Sequence, residues 1–290
     1  MEITGNNHND LNAFASNETQ HNRFSVLSNL ELAEVDSRMQ GLAGLFGEEE
    51  DSSDNGSDGG QGFCPIGMEE YELQVNDEIT LSLIQATAAF TGVGSDETGG
   101  VLWGASVCLS QFLSREMVEG KRTLELGCGG GVPSLVACKY GAATVVATDF
   151  ESATLQHMDY HAHTNLCEKI DVRQVDWGHL DPNDDYRADV ILASDVVYGI
   201  SQVPVLVKTI QHYLAPGGNV YIATRDGRRG VAEFRAAMAI AEFIEVDTIP
   251  CRREGNDAPP IFQSESNILR WRGDHSVHHF RRAGDAVSIS

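Results

Sequence analysis

Apolar and polar residues alternate along the middle of the chain with a period that switches between that of a strand and that of a helix. Short apolar runs bounded by turn residues predict strands at 123–126, 144–149, 170–175, 188–194 and 218–224. Apolar residues at helical spacing predict helices between them, at 133–140, 152–166, 201–214 and 230–241. Strands that alternate with helices in this way are typical of an α/β fold with a mostly parallel, Rossmann-like sheet.

The pattern continues on both sides of these elements. Loose alternation over residues 71–84 predicts an N-terminal strand or hairpin. An amphipathic stretch that starts near Trp103 and ends at Gly120 predicts a helix ahead of the first core strand. Further on, residues 243–249 and 267–271 complete a sheet of seven strands. The α/β domain is therefore expected at residues 63–272.

Residues 1–62 have the composition of a disordered acidic extension. Their first third is rich in Asn, Ser, Thr and Gln, and residues 48–61 form an acidic, low-complexity linker. Residues 24–46 keep a rough helical period, which favours a transient helix over an amphipathic segment that binds a partner.

The other end of the chain, residues 273–290, is interpreted as a C-terminal tail. It contains His275, His278 and His279 among arginines. A metal site would need further ligands that the tail does not itself define, so no metal is expected there.

The net charge of −23 is concentrated near the N-terminus. Residues 1–100 contain 19 acidic residues and only two basic ones, Arg23 and Arg38. Such a surface repels phosphate backbones, which argues against nucleic acid and favours a basic or lysine-presenting protein as the partner. The linker either attracts that partner or, as is commoner for such runs, simply solvates the chain.

Cysteine usage and hydropathy bear on location. The six cysteines show neither C-x-x-C pairs nor zinc-finger spacing, which is typical of a reduced setting. The first residues lack the features of a secretory signal, and no run of about 18 apolar residues is present. We therefore expect a protein of the cytoplasm or the nucleus with no membrane partner. We also expect a monomer.

A glycine-rich turn at 127–131 carries the strongest chemical signal. It joins the strand at 123–126 to a helix, so its backbone N–H groups can approach a polar ligand. The dinucleotide fingerprint fails because Val132 stands at its third glycine, and no Gly-Lys-Ser/Thr follows to make a phosphate-binding loop. Asp149 ends the next strand about 20 residues further on, where a carboxylate can accept both ribose hydroxyls. These features indicate an adenosine ligand without a pyrophosphate.

Motifs at the ends of the predicted strands point to one family. They are the run 124–134 around the glycine turn, Asp149, the Asp-Trp-Gly run 176–178 and the Ala-Ser-Asp-Val-Val-Tyr run 193–198. In these motifs the chain resembles the seven-strand S-adenosylmethionine-dependent methyltransferases. It is most similar to their protein-lysine N-methyltransferase group, which includes enzymes acting on calmodulin, molecular chaperones and elongation factors. The resemblance covers approximately residues 70–272 and implies that the last strand of the sheet runs antiparallel.

The resemblance implies S-adenosyl-L-methionine as the cofactor. Glu125 would orient its amino end, Asp149 its ribose, and Asp176 with Trp177 its adenine. The implied cofactor contacts are Trp103, Glu125, Gly127, Cys128, Gly129, Asp149, Asp176, Trp177, Ala193 and Ser194. Without the resemblance, Trp103 is by default a packing residue. The alternative for Asp176-Trp177 is a helix cap with a core Trp, but its position after the third strand, at the edge where open α/β sheets bind ligands, favours a role at the adenine.

A catalytic pair is implied as well. By similarity to the Asp-x-x-Tyr motif, Asp195 would align an incoming lysine and Tyr198 would line its channel. A lysine, with a reference pKa near 10.4, must lose its proton before it attacks the methyl group. Enzymes that methylate base amines or glutamine resemble Asn/Asp-Pro-Pro-Tyr at this place, and this chain lacks both prolines. Without the resemblance, an Asp at a buried strand end is more often a structural hydrogen-bond partner.

The sequence therefore predicts an S-adenosylmethionine-dependent protein-lysine N-methyltransferase. The alternatives within enzymes are methylation of protein histidine or of a small-molecule amine. A further alternative is a non-catalytic binding module that keeps the cofactor fold and uses its acidic tail. The chain departs from the group at Gly104, where many relatives carry a larger residue or proline, and in keeping Asn165 without the group's doubled asparagine.

Overall fold

The computed structural model describes residues 68–86, 101–251, 269–270 and 274–284. All of them lie in one unit of the chain, Gly60–Ser290. The predicted disordered extension at 1–62, with its helical segment and acidic linker, lies outside the described residues.

Strands and helices alternate through the core as the sequence predicts. The strands are β1 Met68–Gln74, β2 Thr80–Ala86, β3 Leu102–Trp103, β4 Arg122–Leu126, β5 Thr144–Asp149, β6 Ile170–Gln174, β7 Ala188–Ser194, β8 Leu214–Arg225, β9 Phe243–Cys251, β10 Leu269–Arg270 and β11 His275–Arg282. The helices are α1 Gly104–Phe112, α2 Arg115–Val118, α3 Val132–Lys139, α4 Ser152–Thr164, α5 Val203–Tyr213 and α6 Val231–Ile240, and a 3-10 turn spans Ile200–Gln202.

The central sheet has seven strands in the order β6-β5-β4-β7-β8-β11-β9. Strands β4 to β8 pair in parallel, whereas β11 is antiparallel to both β8 and β9. The predicted sheet, mostly parallel with an antiparallel last strand, is confirmed. The strand order reverses at β4, and open α/β sheets bind ligands at the carboxyl ends of the strands beside such a reversal.

The last strand does not lie where the sequence predicts it. It spans His275–Arg282. Within the predicted segment at 267–271 the structure describes Leu269–Arg270, which pair with β3 and not with the central sheet. The domain therefore extends past residue 272. The interpretation of 273–290 as a tail is wrong for the part that forms β11.

The histidines of β11 suggest a polar surface segment, so the sequence pattern does not indicate a buried strand there. In the structure His278 is buried between β8 and β9. Its Nδ1 lies 2.8 Å from Glu245 Oε1, and its Nε2 lies 3.2 Å from Thr224 Oγ1. Polar partners on both neighbouring strands satisfy the ring, so a histidine can occupy the interior of the sheet.

The N-terminal hairpin is confirmed. Strands β1 and β2 are antiparallel, with Gln74 opposite Thr80 at the turn. Leu73, Leu81 and Leu83 are buried, and β2 packs against α4. The hairpin is thus attached to the helix that follows the second strand of the central sheet.

Two apolar clusters cover the two faces of the central sheet. One contains residues of the hairpin, α1 and α3, and the other contains residues of α5 and α6. Adjacent residues of β7 point to opposite clusters, Ile191 to the second and Leu192 to the first, as expected for a strand buried on both faces. Within the described residues, no helix has the length and apolar character needed to cross a membrane.

Candidate active site

The glycine turn lies at the carboxyl end of β4, where the strand order reverses. Gly127, Gly129 and Gly131 have φ of 63°, 52° and 69°. A Cβ atom at Gly127 would lie 2.8 Å from Val196 Cγ1, and one at Gly131 would lie 1.7 Å from Met158 Sδ. Glycine is therefore required at these places both by the left-handed backbone and by the close neighbours.

The turn is tied to the strand beside it. The N–H of Cys128 donates to the Thr148 carbonyl at 2.8 Å, and the N–H of Gly131 donates to the Cys128 carbonyl at 2.7 Å. Asp149, the last residue of β5, accepts the Gly129 N–H on Oδ2 at 3.0 Å and the Phe150 N–H on Oδ1 at 2.8 Å. The structure thus brings the predicted ribose carboxylate next to the predicted turn.

Glu125 lies beneath the turn and is fully buried. Its Oε2 accepts two hydrogen bonds from Ser134 in the first turn of α3, from N–H at 3.0 Å and from Oγ at 2.6 Å. Its Oε1 has no hydrogen-bond partner among the described residues. Burial raises the pKa of the Glu125 carboxyl to about 8, against the effect of the Ser134 hydrogen bonds. Glu125 therefore joins β4 to α3 and leaves one polar atom for a ligand.

The stability of the protein should depend on the ionisation of Glu125. Its pKa is raised from 4.5 to about 8 in the folded state. The unfolded state therefore ionises first as pH rises from 4.5 to 8, and the free energy of unfolding falls by up to about 1.4 kcal/mol per pH unit. Below this window both states are protonated and the full stability is present.

Glu125→Gln cannot ionise and should lose this dependence. We expect the variant to gain stability relative to wild type between about pH 5 and about pH 8, as measured by urea unfolding at both values. A difference between the two proteins that stays constant with pH would contradict the assignment.

Asp176 and Trp177 follow β6 in a turn, so the helix-cap interpretation is wrong. Asp176 Oδ1 accepts the Gly178 N–H at 2.7 Å, and its Oδ2 lies 2.6 Å from His179 Nδ1. The ring of Trp177 comes within 3.6 Å of the position that a Cβ of Gly127 would take. The indole therefore borders the glycine turn, and it also packs against the core.

Asp195 follows the carboxyl end of β7, the strand that lies between β4 and β8. Ala193 is buried and Ser194 is half-buried, and Asp195 follows with a φ of 58°. The Asp195 N–H donates to the Ala223 carbonyl of β8 at 2.9 Å, and its carboxylate forms an ion pair with Arg228. Both side chains are largely shielded from solvent, with 10% and 21% exposed.

Sequence reasoning missed Arg228. It lies in the Asp-Gly-Arg-Arg-Gly loop at 226–230, which follows β8. Because β8 is the neighbour of β7, this loop reaches the same edge of the sheet. The sequence does show a charged, glycine-containing loop after a core strand, which could have indicated a functional loop. That Arg228 pairs with Asp195 could be inferred only once the strand order was known.

Exposed aromatic and apolar side chains surround this edge. Tyr198 is 59% exposed, Phe150 45% and Ile200 39%. Partial desolvation and the carboxylates of Asp149 and Glu151 raise the pKa of the Tyr198 hydroxyl, against the effect of the Arg228 guanidinium. Sequence reasoning singled out Tyr198 but not Phe150 or Ile200.

Trp103 occupies a different position from the other site candidates. It ends β3 and precedes α1, is half-buried, and pairs through β3 with β10. Helix α1 packs against α3 and β8, so Trp103 begins an element that contacts the helix after the glycine turn. Its contact with the cofactor stays a prediction.

Carboxylates therefore end the adjacent strands of the parallel sheet. Glu125 belongs to β4, Asp149 to β5 and Asp195 follows β7, while Asp176 comes shortly after β6. In the described part of the chain, no group of three or more His, Cys, Asp and Glu side chains is arranged to hold a metal ion. The arrangement can bind hydroxyl groups and cations at one edge of the sheet.

The strand order and the glycine turn define a methyltransferase-type Rossmann-like domain. A family model described as lysine methyltransferase matches residues 84–240. The chain belongs to this lysine methyltransferase family.

Named relatives agree with the family. The chain is 27% identical to the protein-lysine N-methyltransferase EFM3 of Chaetomium thermophilum over 205 residues, covering 65% of this chain and 60% of that protein. It is 34% identical to the protein N-lysine methyltransferase METTL21A of Danio rerio over 155 residues, covering 49% and 69%. It is also 34% identical over 208 residues to the protein N-terminal and lysine N-methyltransferase EFM7 of Candida glabrata, covering 66% and 80%. The match to EFM3 thus spans less than two thirds of that relative's length, as does a match covering 55% of EFM7 of Yarrowia lipolytica.

Proposed function

We propose that this chain is an S-adenosylmethionine-dependent protein-lysine N-methyltransferase. The observation that carries the proposal is the glycine turn at the strand reversal, whose Gly129 N–H is held by the Asp149 carboxylate at 3.0 Å. It occurs in a chain that belongs to the lysine methyltransferase family. A carboxylate at this place can accept the hydroxyls of a ribose.

The residues at the turn fit such a cofactor. The absence of a Cβ at Gly127 lets Val196 and the ring of Trp177 pack against the turn, since an added Cβ would lie 2.8 Å from Val196 Cγ1 and 3.6 Å from the indole ring. Glu125 Oε1 is buried without a hydrogen-bond partner among the described residues, and a buried polar atom needs one. The ammonium at the amino end of the cofactor would donate to this atom and would favour the ionised form of Glu125, because a nearby positive charge lowers the pKa of a carboxyl. Asp149 would hold the ribose, and Trp177 would border the adenine. When bound, S-adenosylmethionine supplies an activated methyl group on its sulfonium.

Asp195 is the residue that we assign to the substrate amine. Its carboxylate already binds a cation, the Arg228 guanidinium, so a lysine ammonium can exchange with that partner. Burial of the lysine against the ring of Tyr198 lowers the pKa of its ammonium and opposes the effect of the Asp195 charge. Once deprotonated, the amine can keep a hydrogen bond to the Asp195 carboxylate while its lone pair faces the methyl group.

Exposed aromatic side chains at the rim of the site favour a protein substrate. Phe150 and Tyr198 expose 45% and 59% of their surface there. Exposed aromatic side chains are enriched where proteins contact one another. Together with the carboxylates of the edge, they favour a basic segment that presents a lysine.

Methylation of a protein N-terminus is the second candidate. The EFM7 relative of Candida glabrata, 80% of which is covered, is named for both protein N-terminal and lysine methylation. An α-amino group has a reference pKa of about 8, so less of it is protonated at neutral pH than of a lysine. The same carboxylate edge could align either amine.

Labelling of a cell lysate tests the reaction. The protein is incubated with methyl-labelled S-adenosylmethionine and a size-fractionated lysate, and the labelled residues are located by mass spectrometry. We expect label on lysine side chains. Label confined to N-termini would favour the second candidate, and label confined to histidine or to small molecules would contradict a lysine substrate.

A further inference from the structure

Asn165, the residue that follows α4, holds β2 of the N-terminal hairpin. The Ser82 N–H donates to Asn165 Oδ1 at 2.9 Å, and Asn165 Nδ2 donates back to the Ser82 carbonyl at 2.7 Å. Nδ2 also donates to the His161 carbonyl at 2.8 Å. The amide thus pairs with β2 as the backbone of a neighbouring strand would.

His161, one turn earlier in α4, also holds β2. The Ile84 N–H donates to its Nε2 at 2.9 Å, and its Nδ1 lies 2.8 Å from the Gly130 carbonyl. Because Nε2 accepts a hydrogen bond, the proton of the neutral ring is on Nδ1 and is donated to Gly130. The ring is buried, and burial lowers its pKa to about 4, so it stays neutral near pH 7.

The Gly130 carbonyl belongs to the glycine turn itself. Gly129, just before it, donates its N–H to Asp149, and Gly131, just after it, donates to Cys128. One imidazole therefore connects the hairpin directly to the segment that lies against the cofactor in the proposed function.

We propose that His161 is a positioning residue, which fixes the Gly130 peptide and makes cofactor affinity depend on the seating of the N-terminal hairpin. This inference rests on the proposed function, since it assigns the turn to the cofactor. The ring acts through the turn and has no role in the chemical step. By reciprocity, binding at the turn stabilises the link to the hairpin.

Two substitutions separate the two hydrogen bonds. His161→Asn keeps a donor at the place of Nδ1, which can reach Gly130, but has no atom that reaches Ile84. His161→Gln keeps an acceptor at the place of Nε2, which can reach Ile84, but gives up the bond to Gly130. His163→Asn is the matched control, because His163 is exposed on the same helix.

Calorimetric titration with S-adenosylhomocysteine gives the first readout. We expect His161→Gln to weaken binding about tenfold or more, because the half-buried Gly130 carbonyl loses its donor, and His161→Asn to weaken it by about threefold. His163→Asn should bind as wild type does. In assays, His161→Gln should raise KM for the cofactor and leave kcat near its wild-type value.

Hydrogen exchange of the Ile84 amide gives a second readout. S-adenosylhomocysteine should slow exchange of the Ile84 amide, and His161→Asn should abolish that slowing. Unchanged affinity in both His161 variants, or an Ile84 amide indifferent to the ligand, would overturn the inference alone. If wild-type protein does not bind S-adenosylhomocysteine, the proposed function falls, and the inference falls with it.

Discussion

Gly131→Ala is expected to lower the free energy of unfolding by about 2–5 kcal/mol. Gly131 has a φ of 69°, and an added Cβ would lie 1.7 Å from the sulfur of Met158. Met158 is fully buried, so its side chain cannot move aside without displacing the core. Urea unfolding measures the loss, and the same variant should bind S-adenosylhomocysteine weakly because the turn shifts.

Gly120→Ala is the matched control for the backbone. Gly120 has a φ of 67°, but its added Cβ meets nothing within 4 Å among the described residues. It should therefore show the left-handed strain alone, about 1 kcal/mol. Equal losses at Gly120 and Gly131 would contradict the contact between α4 and the turn.

Asp195→Asn is expected to lower kcat by about 100-fold or more while the affinity for S-adenosylhomocysteine changes by less than about twofold. Asparagine suits the φ of 58° at this position and keeps the side-chain volume, so the backbone is preserved. Only the negative charge that we assign to the substrate amine is lost. Kinetics with an identified protein substrate, together with calorimetry, measure the two quantities.

Two further variants test whether Asp195 acts on the substrate itself or only through its ion pair with Arg228. Arg228→Gln breaks the ion pair with Asp195 but keeps the carboxylate, so it should lower kcat by less than about tenfold. Asp226→Asn removes an exposed charge from the same loop as Arg228 and should have little effect. If Arg228→Gln is as damaging as Asp195→Asn, the carboxylate acts by holding the loop rather than the substrate.

The core strands could be predicted because buried parallel strands are short apolar runs between turns. The strand predicted at 144–149 agrees with Thr144–Asp149, and the glycine turn and Asp149 lie side by side as expected. Adjacent parallel strands present their carboxyl ends at one edge, so motifs at strand ends come together once the order is right.

The features that could not be predicted depend on contacts between residues that are distant in sequence. The strand His275–Arg282 escaped prediction because its histidines find polar partners only when β8 and β9 flank it. His161 has the spacing of an ordinary helical residue, and its role arises from a hairpin that precedes it by a long stretch of chain. The role of Arg228 likewise could not be predicted, because its ion-pair partner Asp195 lies in a different loop.

We infer that the glycine turn and Asp149 form an S-adenosylmethionine site. The most direct test is a calorimetric titration of the wild-type protein with S-adenosylhomocysteine, with NAD and ATP titrated in parallel. We expect saturable binding of S-adenosylhomocysteine at one site and no binding of the two pyrophosphate-containing nucleotides. Binding of NAD or ATP in its place, or no binding of S-adenosylhomocysteine, would contradict it.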